Sequence, residues 1–147
     1  MTDHPEIGTF RPNRPGIRKV LGDLEADVME TIWARPAGQG TTVRDVFEVL
    51  YERRRIAYTT VMTTMARLAK KNLLRTEKLD QAYVYYPEFS QDEFVSRCVG
   101  HILETLLVGF AGATLEGLDR LSDPRAAARA RQLLDEISRR RAAEERA

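Results

Sequence analysis

Apolar positions in the first part of the chain recur three times at helical spacing and then twice at strand spacing. Leu24, Val28, Ile32 and Trp33 fall at i, i+4, i+8 and i+9, one face of a helix that runs to about Arg35, with Asp23 placed to cap it. Pro36-Ala37-Gly38-Gln39-Gly40 breaks the pattern. Val43, Val46, Phe47 and Leu50 then predict a second helix to about Arg53, and Thr42 with Asp45 three residues on has capping-box spacing. Val61, Met65 and Leu68 form the buried stripe of a third helix, with Thr59 or Thr60 as its cap. Its other side carries Thr60, Thr63, Thr64, Arg67, Lys70 and Lys71. Leu73 to Lys78 and the aromatic run Ala82-Tyr83-Val84-Tyr85-Tyr86 read as two strands joined by Leu79-Asp80-Gln81, the second ended by Pro87. Tyr83 and Tyr85 share one strand face, Val84 and Tyr86 the other, so one pair is expected to pack on the helices.

From residue 90 the pattern is helical. Ser90 and Glu93 make a second capping box. Phe94, Val95, Cys98, Ile102, Leu106 and Leu107 line one side of the helix that follows, and Gly109, Gly112 and Gly117 are expected to bend or interrupt it around Leu115 and Leu118. Asp123-Pro124 opens a last helix, cap then first-turn proline. Ala126, Ala130, Leu133 and Ile137 give it a short heptad-like stripe, with Leu134 beside it and Arg139 to Arg141 in its last turn. Residues 1–20, with Pro5, Pro12, Pro15, Gly8 and Gly16, read as a mobile tail that also holds His4. The expected division is a tail at 1–20, a first domain at 21–89 and a helical domain at 90–147.

Charge changes this picture through its placement. The 147 residues hold 23 Lys+Arg and 22 Asp+Glu, a formal net charge of +1, with 43% hydrophobic and 31% charged residues. Residues 21–52 carry seven acidic and two basic groups, a net of −5. Residues 53–78 carry eight basic groups and only Glu77, a net of +7. A cationic segment of this density attracts polyanions, and it falls on the third helix and the hairpin. Three helices followed by a hairpin is the order of a winged helix-turn-helix, in which the last helix enters the DNA major groove. Periodicity and charge therefore point independently to double-stranded DNA.

The chemistry of the third helix agrees. Thr59, Thr60, Thr63 and Thr64 offer short hydroxyls and methyls to base edges, and Arg67 suits guanine or phosphate. Lys70 and Lys71, at the helix end, suit phosphate, as do Arg75, Lys78 and Gln81 on the hairpin. Tyr58, just before the helix, suits either a phosphate contact or a core plug. The C-terminal stripes (Phe94, Val95, Cys98, Ile102, Leu106, Leu107, Leu115, Leu118, Leu133, Leu134, Ile137) lack a core of their own, and packing against a second copy would bury them. Such a homodimer reads a pseudo-palindromic operator with half-sites whole helical turns apart.

Other chemistry is disfavoured. A single cysteine excludes an intrachain disulfide framework, and Cys98 with His101 supplies only two ligands, so no metal site or cofactor is expected. There is no GxGxxG, P-loop or HExxH and no nucleophile with an orienting carboxylate, so no catalytic residue is assigned. No run approaches ~18 uncharged apolar residues and no secretory signal is visible, so the expectation is a soluble cytoplasmic protein without membrane insertion.

Leu21-Gly22-Asp23-Leu24-Glu25-Ala26-Asp27-Val28-Met29 with Ile32-Trp33, Thr42-Val43-Arg44-Asp45-Val46, Ala57 to Leu74, and Ala82 to Pro87 together resemble the BlaI/MecI/CopY family of bacterial repressors over about residues 20–90. The resemblance implies a mostly α fold with a small β-hairpin: a winged-helix DNA-binding domain followed by a helical dimerisation domain. It implies repression of genes such as those of β-lactam resistance or copper homeostasis, and the regulated genes expected here are those of β-lactam resistance or stress responses. It further implies release from DNA through a membrane sensor protease or its downstream protease, although Glu116-Gly117-Leu118 stands where some members carry an Asn-Phe cleavage pair. The copper-responsive branch carries a cysteine-rich C-terminal motif that Cys98 alone does not supply. Two alternatives remain at this point: a winged-helix protein-docking module, which gains nothing from a cationic wing, and a ligand-sensing repressor with an interdomain pocket.

Overall fold

The structure is a computed structural model that describes residues 5, 6 and 8–146; His4 lies outside them. The chain forms two compact units, Met1–Gly100 and His101–Ala147. In the first, a 3-10 turn (η1, Gly16–Lys19) leads into α1 (Asp23–Trp33), α2 (Val43–Arg54), α3 (Tyr58–Lys70) and an antiparallel hairpin, β1 (Leu74–Leu79) and β2 (Ala82–Pro87). This is a winged helix-turn-helix. A long helix, α4 (Gln91–Gly109), follows, then α5 (Ala111–Asp119) and α6 (Pro124–Glu145).

The predicted stripes build the core of the first unit. Val28 and Ile32 of α1, Val46 and Leu50 of α2, and Val61, Met65 and Leu68 of α3 are buried together, joined by Ala26 and Met29. Trp33 packs at the edge of this core, donates its Nε1–H to the Phe89 carbonyl at 2.9 Å and tilts against Phe94 at 5.7 Å. The capping box on α2 forms in both directions: Asp45 N–H donates to Thr42 Oγ1 at 3.1 Å and Thr42 N–H to Asp45 Oδ2 at 3.0 Å. The Thr42 backbone N–H, ahead of the Thr42 hydroxyl and the Arg35 guanidinium, holds the Asp45 carboxyl below its ordinary value of 3.8.

Two caps differ from expectation. Gly22, not Asp23, is the N-cap of α1, because Glu25 Oε1 reaches back to the Gly22 N–H at 3.2 Å. Ala57, not Thr59 or Thr60, caps α3 without a side chain. The end of α3 is a Schellman turn: Asn72 sits at φ 67°, its N–H meets the Ala69 carbonyl, and the Leu73 N–H meets that of Leu68. This closure aims the chain into β1 with Leu73 and Leu74 buried.

The hairpin turns over two residues, Asp80 at φ 56° and Gln81, with Leu79 opposite Ala82 and Leu74 opposite Pro87. Burial on β2 does not split between the Tyr83/Tyr85 and Val84/Tyr86 faces: Val84 and Tyr85 are both buried. The reason is a third chain segment. Thr41 bridges β2 with two backbone hydrogen bonds to Tyr85, 2.9 and 2.8 Å. That bridge lays Gly40 over Val84 while Tyr85 enters the helical core.

Three further expectations are corrected. Residues 16–20 are not a free tail: Ile17 is buried and Arg18 donates to Asp27. Phe94 and Cys98, 1% and 2% exposed, belong to the core of the first unit and are unavailable to a second chain, so the first unit continues past residue 89 into the opening turns of α4. Arg139 to Arg141 precede the last turn of α6, which runs on to Glu145. The C-terminal caps agree with the structure, Ser90 Oγ accepting from Glu93 N–H at 3.1 Å and Asp123 Oδ1 from Arg125 N–H at 2.8 Å; the helical run breaks at Phe110, beside Gly109, whereas Gly112 and Gly117 lie within α5 and do not interrupt it.

A Cβ on Gly40 would stand 2.1 Å from Val84 Cγ1 and 3.0 Å from the Tyr86 hydroxyl. Gly40→Ala is therefore expected to cost about 1–3 kcal/mol of unfolding free energy in urea, as overpacked sites do, by prising the Thr41 bridge from the wing.

Candidate nucleic-acid interface

The amphipathic pattern of α3 turns Val61, Thr64, Met65 and Leu68 inward and leaves Thr59, Met62, Thr63, Ala66, Arg67 and Lys70 outward. Thr60 is also exposed at the edge of this face. A shallow groove of about 300 Å³, lined by Leu24, Thr59, Thr60, Thr63, Thr64 and Arg67, flanks it. Thr64 is 3% exposed and its Oγ1 donates to the Thr60 carbonyl at 2.8 Å, so it is a core residue with its hydroxyl satisfied rather than part of the outward face. Thr63 stays exposed, but its Oγ1 donates to the Thr59 carbonyl at 2.9 Å. Its hydroxyl proton is thereby engaged, and what it turns outward is a methyl and oxygen lone pairs.

The cations separate into two groups. Arg54 donates to Asp27 and Lys71 to Glu25 at 2.9 Å, both carboxylates being nearly buried on α1. These two positive charges brace the fold. Arg75 pairs on the surface with Glu77 at 3.4 Å and lies over the Tyr86 ring at 4.9 Å. Among the described residues Arg53, Arg55, Arg67, Lys70 and Lys78 form no ion pair. Arg55, at φ 42°, lies over the Tyr51 ring at 4.8 Å, and Lys78 stands over Tyr83 at 5.9 Å. Gln81 is exposed at the wing tip. Tyr58 packs its ring edge-on against Phe47 at 5.4 Å while the residue stays 44% exposed. Arg67, Lys70, Tyr58 and the exposed threonines thus share one helix, and Arg75, Lys78 and Gln81 the hairpin.

Sequence reasoning missed Met62 and Ala66. The signal was present, since Thr59, Met62, Thr63, Ala66 and Lys70 are spaced at three and four residues around the pole opposite the buried stripe.

Residues 21–138 match the family model described as the penicillinase repressor. The chain belongs to the penicillinase repressor family. Two curated relatives, each the transcriptional regulator BlaI of Mycobacterium tuberculosis (strains CDC 1551 / Oshkosh and ATCC 25618 / H37Rv), are 51% identical over 76 residues, 52% of this chain and 54% of theirs. The chain thus spans about half the length of the curated relatives it matches. A solved structure, the DNA-binding domain of the repressor BlaI, is 28% identical, with a TM-score of 0.42 over 47% of this chain and 80% of that one.

The second unit of this penicillinase repressor-family chain presents the other expected surface. Leu106, Leu107, Leu115, Leu118, Leu133, Leu134 and Ile137 are exposed, Val95 likewise on α4, and Ile102 is intermediate. α5 and α6 bury no residue. No single helix among the described residues is long and apolar enough to cross a membrane, and none of them forms a cluster of three or more His, Cys, Asp or Glu. Burial pushes the Cys98 thiol up to about 11.

Two outcomes follow from this geometry. Lys71→Ala strands the Glu25 carboxylate and is expected to lower unfolding free energy by about 1–3 kcal/mol, against less than about 0.5 kcal/mol for Lys70→Ala, in parallel urea titrations. Cys98, held neutral by burial, is expected to react with iodoacetamide at pH 8 at least about a hundredfold more slowly in the folded protein than in urea, because the thiolate is the nucleophile.

Proposed function

We propose that this protein is a transcriptional repressor that binds a pseudo-palindromic DNA operator as a homodimer in the cytoplasm. α3 lies in the major groove, with Thr59, Thr60, Thr63 and Arg67 toward the bases. Lys70, Tyr58 and the wing residues Arg75, Lys78 and Gln81 meet the phosphates. Lys71 acts indirectly, by fixing the end of α3 to α1. The regulated genes are those of β-lactam resistance or stress responses, and relief of repression runs through a membrane sensor protease or the protease below it. The observation that carries the reading is the charge on the outward face of α3, where Arg67 and Lys70 are free of ion pairs among the described residues while Arg54 and Lys71 are held by buried carboxylates.

The dimer is supported by the second unit. The exposed far end of α4, with Leu106 and Leu107, and α6, which buries nothing and carries Leu133, Leu134 and Ile137, need a partner surface, and a second copy supplies a matching one under two-fold symmetry.

Mobility shifts on operator and bulk duplexes across a salt series, beside sedimentation, test both halves. The wild type is expected to be a dimer whose affinity falls steeply with salt. Lys70→Ala should weaken all duplexes alike and flatten the salt slope by about one ion. Leu107→Asp/Leu134→Asp in the full chain should sediment as a monomer and lose operator affinity while still melting cooperatively. A wild type that ignores duplex DNA at low salt would refute the reading.

A further inference from the structure

The outward pole of α3 is less polar than four threonines suggest. Met62 is 44% exposed and stands beside exposed Ala66, one turn on, and Thr63, its neighbour in sequence. The Thr63 hydroxyl proton is engaged by the Thr59 carbonyl, and the Thr64 side chain is withdrawn altogether. The centre of the helix therefore offers a thioether chain, a Cβ and a methyl, flanked on the same helix by the cations Arg67 and Lys70. An exposed methionine on a polar helix face leaves apolar surface in water, which a bound partner can relieve. In the major groove one apolar group is available to meet it, the C5 methyl of thymine.

Resting on the DNA-binding reading, we propose that Met62, with Ala66 and the Thr63 methyl around it, is a specificity-determining residue that reads thymine methyls near the centre of each half-site. The small Ala66 side chain lets the helix approach the base edges, and the unbranched Met62 side chain adapts to the methyl's position. Recognition at these positions is by apolar contact, leaving hydrogen-bonded readout to Arg67 at a neighbouring base pair. Arg67 and Lys70 supply the electrostatic attraction that brings this apolar centre against an anionic duplex.

The test uses the full-length protein. A duplex is selected from a randomised library by the wild type, and each thymine in it is replaced singly by uracil, which removes only the C5 methyl. At one or more positions per half-site the wild type is expected to lose about fourfold in affinity, the worth of one buried methyl-sized group. Met62→Ala should bind the parent duplex more weakly and show no further loss at those uracils. Its salt slope should match the wild type, and its loss of affinity for bulk DNA should be smaller than its loss on the parent duplex. Arg67→Ala should keep the uracil sensitivity and lose preference elsewhere. If every uracil effect persists in Met62→Ala, or no thymine is sensitive while salt-dependent operator binding remains, Met62 is not a reader. If the wild type binds no duplex even at low salt, the DNA reading itself fails.

Discussion

Two nearly buried carboxylates on α1 organise the first unit. Glu25 accepts the Gly22 N–H that starts its own helix and also holds Lys71 at the end of α3. Asp27 accepts from Arg18 before the helix and from Arg54 at the end of α2. One turn of helix therefore ties together η1, α2 and α3. Buried ion pairs add little net stability, but removing one partner is costly because the other is left charged and desolvated. Their larger effect is selective. They draw Arg54 and Lys71 out of a segment of net charge +7 and leave Arg67 and Lys70 to the solvent face. The placement of acids on α1 thus decides which cations can meet an external polyanion.

The position of the wing follows from backbone devices at both of its ends. The Schellman turn at Asn72 sets the direction in which β1 leaves α3, and the Thr41 bridge clamps β2 from the other side. Gly40 is required there because Val84 occupies the space a side chain would take. Arg75 and Lys78 project from a hairpin held at its base and along β2, with their charges carried against the rings of Tyr86 and Tyr83. A cation stacked on an aromatic ring loses less freedom on meeting a phosphate than a free side chain does.

What was legible in the sequence was whatever depended on neighbours close along the chain. The apolar stripes, the Thr42–Asp45 box, the Ser90 and Asp123 caps and the place of the wing turn all rest on spacings of five residues or fewer. What was not legible depended on partners far away. Thr64 and Thr63 look alike in sequence, and only the packing of α3 on the core makes one structural and the other exposed. Val84 and Tyr85 are both buried because Gly40 and Thr41, more than forty positions earlier, cover the outer face of β2. Phe94 and Cys98 continue a helical stripe that is exposed further on, so periodicity alone places them with Leu106 and Leu107. The core of the first unit instead claims the opening turns of α4. Ile17 was passed over because a lone apolar residue among prolines and glycines has no period.

The second unit poses the opposite problem, a set of sound helices without an interior. Its caps and breaks obey local rules, yet α5 and α6 bury no side chain. Helix propensity and capping sustain isolated helices only weakly, and most helical stability in proteins comes from packing an apolar face. Leu133, Leu134 and Ile137 along α6 would be disfavoured on a permanent surface, because each leaves apolar area in water that burial would recover at about 25 cal/mol per Å². A partner that supplies its own copy of the same stripe recovers that area on both sides at once, without either chain needing a second kind of recognition surface. In the proposed dimer, duplication would also serve the first unit. A single α3 spans only a few base pairs, and joining two of them converts the second contact into an intramolecular event with a high effective concentration. The proposed dimer would bury the exposed apolar surface of one unit and lengthen the reach of the other through a single association.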